Sequence, residues 1–246
     1  MYYFASDIHL GGGDAATCRR KESAFTQWLD CVSADAEAIF LLGDMFDFWF
    51  EYQRVVPKGF VRTLGKLAEL TDRGIRIVFF TGNHDMWVGD YLHKECGLEI
   101  HTHPEVMELA GKRLFLAHGD NMNIDHLPAL RLLNAVFRSK TLRFLFSWLI
   151  HPDLAMKFGL WWSANSRQTQ RHDRTNTAVN QPLINYAVNH SASHPDIDYY
   201  LFGHMHREGD FCGQGVRVMN LGDWNDQPTY AVLDSEGRLA LKAFKV

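Results

Sequence analysis

Short runs of consecutive apolar residues alternate with stretches of helical period through the first half of this chain. Tyr2 to Ala5 is the first apolar run and closes on Ser6-Asp7. A helical stretch follows over about Arg20 to Ser33. Ala38 to Leu42 reads as a buried strand and stops at Gly43-Asp44. Gly59 to Arg73 reads as a helix that Gly74 closes, because glycine takes the left-handed conformation a helix end favours. Ile75 to Phe80 is a second buried strand, stopped by Thr81-Gly82-Asn83. Strands alternating with helices in this way predict an α/β layered domain.

The second half changes character. Val106 to Leu109 and Arg113 to Ala117 flank Ala110-Gly111-Lys112 as a hairpin. Asp198 to Phe202 is a strand ending at Gly203. Val216 to Leu221, Thr229 to Leu233 and Leu239 to Phe244 read as antiparallel strands, the last two joined at Ser235-Glu236-Gly237. From about residue 121 to 180 there is no strand signal, only helix formers and large apolar residues. Leu130, Leu133, Val136 and Phe137 share one helix face, and Leu142, Leu145, Phe146, Leu149 and Trp161 continue the apolar material. Such a stripe is usually ordinary core; here its amount leaves room for an apolar pocket. With no repeat and no linker, the expectation is one domain over 1–246 carrying a helical insertion at about 121–180.

Composition sharpens that picture. At 246 residues with 46% hydrophobic and 22% charged positions, a disordered chain is excluded. The net charge is −4, yet His126 to Thr175 holds eight basic residues against two acidic ones, a surplus of six. The rest of the chain therefore carries about −10. A compact basic insertion thus sits on an acidic body. Cys18, Cys31, Cys96 and Cys212 are scattered and form no Cys-x-x-Cys pair, which argues against a disulfide scaffold or a thiolate zinc site. The N-terminus has no signal-peptide pattern, and the apolar run Phe144 to Ile150 is too short to span a bilayer. The expected location is the cytoplasm.

Five short patterns sit just after predicted strands: Asp7-Ile8-His9, Gly43-Asp44 with Asp47, Gly82-Asn83-His84-Asp85, His118-Gly119-Asp120, and Gly203-His204-Met205-His206. Ligands of α/β folds bind at the carboxyl ends of strands, and glycines beside them let the backbone turn sharply. Seven side chains suit a pair of metal ions: Asp7, His9, Asp44, Asn83, His118, His204 and His206. Asp7 and His9 are expected to point the same way because residues two apart along an extended chain share a face, and His204 and His206 repeat the spacing. Imidazole and oxygen ligands without thiolate favour manganese, iron or zinc. Any one pattern alone is an ordinary polar turn; the ordered set is not. His93, His101, His103, His151, His190 and His194 lack such framing and read as surface or structural residues. His126 and His172, in or beside the basic insertion, are intermediate.

The ordered set, from Asp7 to Trp224, resembles the calcineurin-like metallophosphoesterases. The resemblance implies a four-layer α/β/β/α sandwich of two mixed sheets and a dinuclear centre. One ion would take Asp7, His9, Asp44 and His206, and the other Asp44, Asn83, His118 and His204. Within the insertion, Ala164-Asn165-Ser166-Arg167, together with Met45-Phe46 and Phe48-Trp49 around Asp47, resembles the UDP-2,3-diacylglucosamine diphosphatases of lipid A synthesis. In that family the insertion covers the metals and holds the acyl chains. The typical member has arginine where this chain has His84, and glutamate where it has Asp47. His84 with Asp47 restores the dyad of the wider phosphoesterase family.

These expectations define a mechanism. Two ions clamp the attacking and departing oxygens of an in-line phosphoryl displacement. His84 would overhang the phosphate as a donor or acid, with Asp47 orienting its ring. Asp85 and Asp120 read as supporting or turn-forming groups. Asn165 and Ser166 would meet sugar or amide groups, and Arg167, Arg171 and Arg174 would hold pyrophosphate by forked hydrogen bonds, with a solvated basic face an equal alternative for each arginine. The expected reaction releases UMP and 2,3-diacylglucosamine 1-phosphate at an anionic membrane surface, peripherally on the inner face of the cytoplasmic membrane. The alternative is a relative of the same fold acting on another phosphoester or nucleotide. The acidic body argues against nucleic acid, and the complete ligand set argues against a scaffold without catalysis.

Overall fold

The computed structural model describes residues 1–122, 128–173, 180–225 and 227–245; within these, the side chains of Pro128, Leu130, Leu133, Lys140 and 166–173 lie outside the description. Three apolar cores order the layers. Strand β1 (Tyr2–Ala5) leads into α1 (Ala15–Val32), β2 (Ala38–Leu42), α2 (Val61–Asp72) and β3 (Arg76–Phe80). Helix α1 starts at Asp14, whose carboxylate accepts from Thr17 N at 2.7 Å, and buries Ala24, Phe25, Trp28, Leu29 and Val32 on one face. These rings and chains pack on Ala5, Ile39, Leu41 and Phe79, forming the first core. Alternate residues of the same strands, Phe4, Phe40, Leu42, Val78 and Phe80, face the opposite way into a second core. The strands are therefore buried on both faces, which is why they read as unbroken apolar runs.

The chain continues through α3 (Tyr91–Cys96), β4 (Glu99–His101), β5 (Glu105–Leu109) and β6 (Lys112–Leu116). Then come α4 (Pro128–Arg138), α5 (Lys140–Leu149), α6 (Pro152–Asp173) and α7 (Gln181–Ser191). It ends with β7 (Tyr199–Phe202), β8 (Glu208–Gly213), β9 (Val216–Leu221), β10 (Thr229–Leu233) and β11 (Leu239–Ala243). One sheet runs β11-β10-β1-β2-β3-β4 and the other β5-β6-β7-β9-β8. In the first, β1 to β4 are parallel and β10 and β11 antiparallel. In the second, β6, β7 and β9 are parallel and the edge strands β5 and β8 antiparallel. Leu114, Leu116, Leu201 and Met219 meet the first sheet in the second core, while Phe115, Tyr200, Phe202 and Val218 face Leu183 and Ala187 of α7 in the third. The result is the α/β/β/α sandwich of two mixed sheets.

One feature differs from the expectation. Val216–Leu221 is not a neighbour of the β10–β11 hairpin. It lies in the other sheet, parallel to β7 and antiparallel to β8. Strand β8 carries alternately exposed residues and a glycine at its second and last positions, so it had no apolar signal to reveal the pairing. Helix α7 belongs to the layered body, packed in the third core.

Among the described residues, none of helices α4 to α6 joins the three cores; they rest on loops instead. Trp87 Nε1 donates to Phe137 O at 2.5 Å, Arg143 Nη1 to Val88 O at 3.2 Å, and Tyr52 Oη to Ile150 O at 2.9 Å. The Phe146 ring lies 5.3 Å from both Phe50 and Trp87. Gly159 of α6 sits where a Cβ would run into the Phe48 ring, so a glycine sets how closely that helix approaches the loop after β2.

Candidate metal centre and adjoining cavities

Parallel strands present their carboxyl ends on one edge, and each patterned loop leaves from that edge. Asp7 and His9 follow β1, Asp44 and Asp47 follow β2, Asn83 and His84 follow β3, His118 follows β6, and His204 and His206 follow β7. The first two loops stay hydrogen-bonded past the strands: His9 N donates to Asp44 O at 3.0 Å, and Asp47 N to Leu10 O at 2.8 Å. Asp85 is wholly buried and its carboxylate accepts from Gly82 N at 2.8 Å, Asp44 N at 3.3 Å and Phe46 N at 3.3 Å, tying the loops after β2 and β3 together.

The side chains converge by an unusual backbone route. Of the eight described non-glycine residues with positive φ, five are Asp7 (54°), His9 (49°), Asp44 (52°), His204 (70°) and His206 (53°). Left-handed backbone costs such residues on the order of 1 kcal/mol each. The expected extended geometry is therefore replaced by successive left-handed residues. His204 and His206 do not share a direction either: His206 joins Asp7 and His9, and His204 joins His118.

Asp7, His9, Asp44 and His206 offer donor atoms that all lie within 4.8 Å of one another. His206 Nε2 is 3.2 Å from Asp7 Oδ1 and 3.1 Å from His9 Nε2. His9 Nε2 is 3.7 Å from both Asp7 Oδ1 and Asp44 Oδ2. On the other side of Asp44, His118 Nε2 lies 3.4 Å from Asp44 Oδ2 and 3.2 Å from Asn83 Oδ1. The rings of His118 and His204 are 5.1 Å apart. Asp44 thus stands between two groups of donors. Asp7 Oδ1, Asp44 Oδ2 and His204 Nδ1 are buried without a well-formed hydrogen bond, their polar neighbours being other members of the cluster. Buried carboxylates and imidazole lone pairs aimed at one another are what divalent cations satisfy, so the residues present fit such ions.

His118 Nδ1 lies 2.9 Å from Leu42 O, which can only accept, so in the neutral ring Nδ1 carries the proton and Nε2 is left to coordinate. His9 Nδ1 lies 3.3 Å from Asp47 Oδ1. His84 Nδ1 donates to the backbone carbonyl of Asp47 at 3.0 Å, while the Asp47 carboxylate faces His9. Orientation of His84 by Asp47 therefore runs through the main chain and not through the carboxylate. Burial pushes the pKa of His84 down to about 4 and that of His204 to about 4. Burial would raise Asp7, but its hydrogen bonds to His206 and His9 prevail and hold it well below the carboxylate range. Burial would lower His118, yet the charge of Asp44 beside it keeps it well above the imidazole range.

A cavity of about 290 Å³ opens beside this cluster, bounded by Asn83 and His84 on one side and by Phe137, Phe158 and Trp162 of α4 and α6 on another. Phe48, Trp49, Met86 and Trp87 complete a largely apolar wall. Asn165 is exposed on α6 and does not line it. The side chains of Ser166, Arg167 and Arg171, and all of Arg174, lie outside the described residues, as do the His126 and His172 side chains. Sequence reasoning passed over Met86 and Trp87, which carry no motif beyond following Asp85. It also passed over Asp223, whose Oδ2 is 3.6 Å from His206 Nδ1. Gly222-Asp223 after β9 repeats the strand-end acid pattern and was open to the same logic.

Residues 2–208 match the calcineurin-like phosphoesterase family. The chain is 40% identical to a UDP-2,3-diacylglucosamine hydrolase of Porphyromonas gingivalis, an alignment covering 94% of this chain and 93% of that protein. It is 27% identical to the UDP-2,3-diacylglucosamine hydrolase of Haemophilus ducreyi, over 96% and 97% of the two chains. Its fold is similar to that of an archaeal phosphodiesterase, with TM-score 0.51 at 14% identity over 99% of each chain. This chain belongs to the calcineurin-like phosphoesterase family. It is a hydrolase whose family works with divalent metal ions. Among the described residues no helix is long and apolar enough to cross a membrane.

Proposed function

We propose that this hydrolase cleaves the pyrophosphate of UDP-2,3-diacylglucosamine, releasing UMP and 2,3-diacylglucosamine 1-phosphate for lipid A synthesis. The observation that carries the reading is the apolar cavity of about 290 Å³ opening directly against Asn83 and His84. Acyl chains gain about 0.8 kcal/mol per methylene buried against such an apolar wall. The relatives named for this substrate cover nearly the whole chain and support the same reading.

In this reading two divalent ions, manganese first and iron or zinc as alternatives, are held by Asp7, His9, Asp44 and His206 and by Asp44, Asn83, His118 and His204. When bound they supply a nucleophile from water at neutral pH and counter-charge for the phosphoryl oxygens. His84 faces the same space. Its Nδ1 proton is committed to the Asp47 carbonyl, so Nε2 donates only after taking up a proton, which a bound phosphate favours. It would then stabilise charge on the phosphoryl group or protonate the leaving oxygen. Asp47 holds the His9 ring and, through its carbonyl, the His84 ring. Arg167, Arg171, Arg174, Asn165 and Ser166 remain proposed partners of the sugar and pyrophosphate.

Surface association follows from α4 to α6. Among the described residues they carry twelve of the seventeen exposed large hydrophobic side chains, including Trp148 at 76% exposure. The basic surplus of this stretch complements an anionic bilayer, at about 1 kcal/mol per well-placed cation. The enzyme would work peripherally on the inner face of the cytoplasmic membrane. His84 and Asp47, standing where the typical lipid A diphosphatase has arginine and glutamate, favour the second reading: the same chemistry on a different phosphoester. One assay decides. Release of UMP from the diacylated UDP-sugar, orders of magnitude more efficient in kcat/KM than from its deacylated form, is the expected result. Equal efficiency on both would remove the lipid substrate and leave the phosphoesterase.

A further inference from the structure

The carboxylate of Asp7 is used unevenly. Its Oδ2 accepts from Ser6 Oγ at 2.5 Å and from His204 N at 2.9 Å. Its Oδ1 is buried without a well-formed hydrogen bond and faces His206 Nε2 at 3.2 Å and His9 Nε2 at 3.7 Å. One oxygen is therefore anchored to the protein and the other is offered to the donor cluster. A carboxylate anchored in this way presents a single ligand atom, whereas an unanchored one turns freely about its last bond.

Ser6, the residue after β1, is wholly buried. Its hydroxyl has one proton and three oxygens within reach: Asp7 Oδ2, Leu42 O at 2.9 Å and Gly43 O at 3.4 Å. Both carbonyls already have another donor. His118 Nδ1 lies 2.9 Å from Leu42 O, and Asp7 N donates to Gly43 O at 3.1 Å. The carboxylate carries the charge and lies at the short distance of an O–H···O⁻ bond, so the proton goes to Asp7. The far side is equally close. A Cβ on Gly203 would run into Ser6 Oγ and Asp7 Oδ2, so a glycine lets the chain pass here and bring the His204 N–H to Asp7. Ser6 lines neither the cavity of about 290 Å³ nor a smaller one of about 90 Å³ beside His118. It has no surface to offer a substrate and acts only through Asp7.

We propose that Ser6 is a positioning residue for the metal centre: its hydroxyl fixes Asp7 as a one-oxygen ligand of the ion shared with His9, Asp44 and His206. The inference rests on the ligand assignment of the functional reading above and is independent of the substrate. Ser6 should matter to one ion and not to the other. Asp7 belongs to the first donor set only, while Leu42 O keeps its hold on His118 of the second when the hydroxyl is gone.

The test is a manganese titration of metal-stripped protein, followed by calorimetry and by electron paramagnetic resonance. The unaltered protein should take up two ions and give the spectrum of a spin-coupled pair. Ser6→Ala removes one oxygen and keeps the backbone. It should bind one ion unchanged and the other about 10- to 100-fold more weakly, the usual cost of losing a hydrogen-bond partner of a ligand. At a manganese concentration between the two affinities its spectrum should be that of isolated ions. Hydrolysis of an aryl phosphodiester by Ser6→Ala should return towards the unaltered kcat as manganese is raised, because no group that touches the substrate has changed. Gly203→Ala presses a methyl on the same two oxygens without altering the hydroxyl, and should weaken the same ion. If Ser6 merely ties β1 to β2 through Leu42 O, Ser6→Ala will lower Tm of the metal-free protein and bind both ions as tightly as before. Two ions bound with unaltered affinity by Ser6→Ala, or both weakened equally, overturns the proposal. An unaltered protein that does not bind two ions removes the ligand assignment, and this proposal with it; two ions in the unaltered protein and in Ser6→Ala alike remove the role of Ser6 alone.

Discussion

The loops at the carboxyl ends of β1, β2, β3, β6 and β7 and the helices α4 to α6 are built to opposite rules. The loops bury what is polar: Asp7, His9, Asp44, Asp47, Asp85, His84, His118 and His206 are all below a tenth exposed. The helices expose what is apolar, with Phe144, Trp148, Leu149 and Trp161 each more than half exposed. Both arrangements are unfavourable for a chain alone in water. The loops bear backbone strain and crowded carboxylates, which cations relieve. The helices forgo about 25 cal/mol for every Å² of apolar surface left in water, which an apolar partner would recover. Regions that violate the ordinary rules of stability in different ways thus specify different classes of ligand, and the larger cavity lies where they meet.

Breaking the polar half should give the largest effects. Asp44→Ala removes the group standing between both sets of donors, and loss of bound metal with loss of activity is expected by elemental analysis and assay. Two ions still bound per chain would overturn the role of Asp44. His84→Ala should keep its metal and slow turnover by ~10²–10⁴, the usual range for acid–base assistance; loss of metal in this variant would instead make His84 structural. Acidification tests the same half without mutation. His118, held by Asp44 well above the imidazole range in the metal-free chain, must shed its proton to coordinate. Protons therefore compete with metal, and bound metal should fall as pH is lowered; a metal content independent of pH between about 8 and 5 would contradict the ligand role.

Changes in the apolar half should be milder. Phe158 lines the larger cavity but is 44% exposed, so Phe158→Ala should cost roughly 1 kcal/mol of acyl contact. That is about fivefold in kcat/KM on the diacylated substrate. The deacylated form serves as the control, and an equal loss on both would mean general disruption. Smallest of all, Trp148→Ser should leave stability within about 0.5 kcal/mol, because the ring touches little of the fold. Binding to anionic vesicles at low salt is where its loss should register, and unaltered vesicle binding would exclude this face from the membrane contact.

Much of the layered body was readable before folding. Strands β1, β2, β9 and β10 begin and end where the sequence pattern places them, and in β1 and β2 near-continuous burial leaves no polar interruption. Strands β4 and β8 were not readable. Glu99–His101 has three residues and none fully buried, and β8 alternates exposure around two glycines. An edge strand is held by hydrogen bonds to its neighbour, and those leave little trace in the pattern of side chains. The donor residues stood out because Asp, Asn and His at strand ends are chemically conspicuous. Met86 and Trp87 did not, because an apolar side chain in a cavity wall looks the same in sequence as one in a core.

By itself the sequence determined most of the strands, which side chains have the chemistry to coordinate a cation, and that a basic, apolar, helical stretch interrupts the body. These are local properties: hydrophobic period, side-chain chemistry and charge act within a few residues of one another. Tertiary structure alone decided the rest. It separated β9 from β10, turned Asp7, His9, His204 and His206 inward through left-handed backbone, and sent the Asp47 carboxylate to His9 while its carbonyl took His84. It also set Phe137, Phe158 and Trp162 opposite His84 across one cavity. Each of these depends on distances between segments tens of residues apart, which are settled only when both sheets and their helices pack at once.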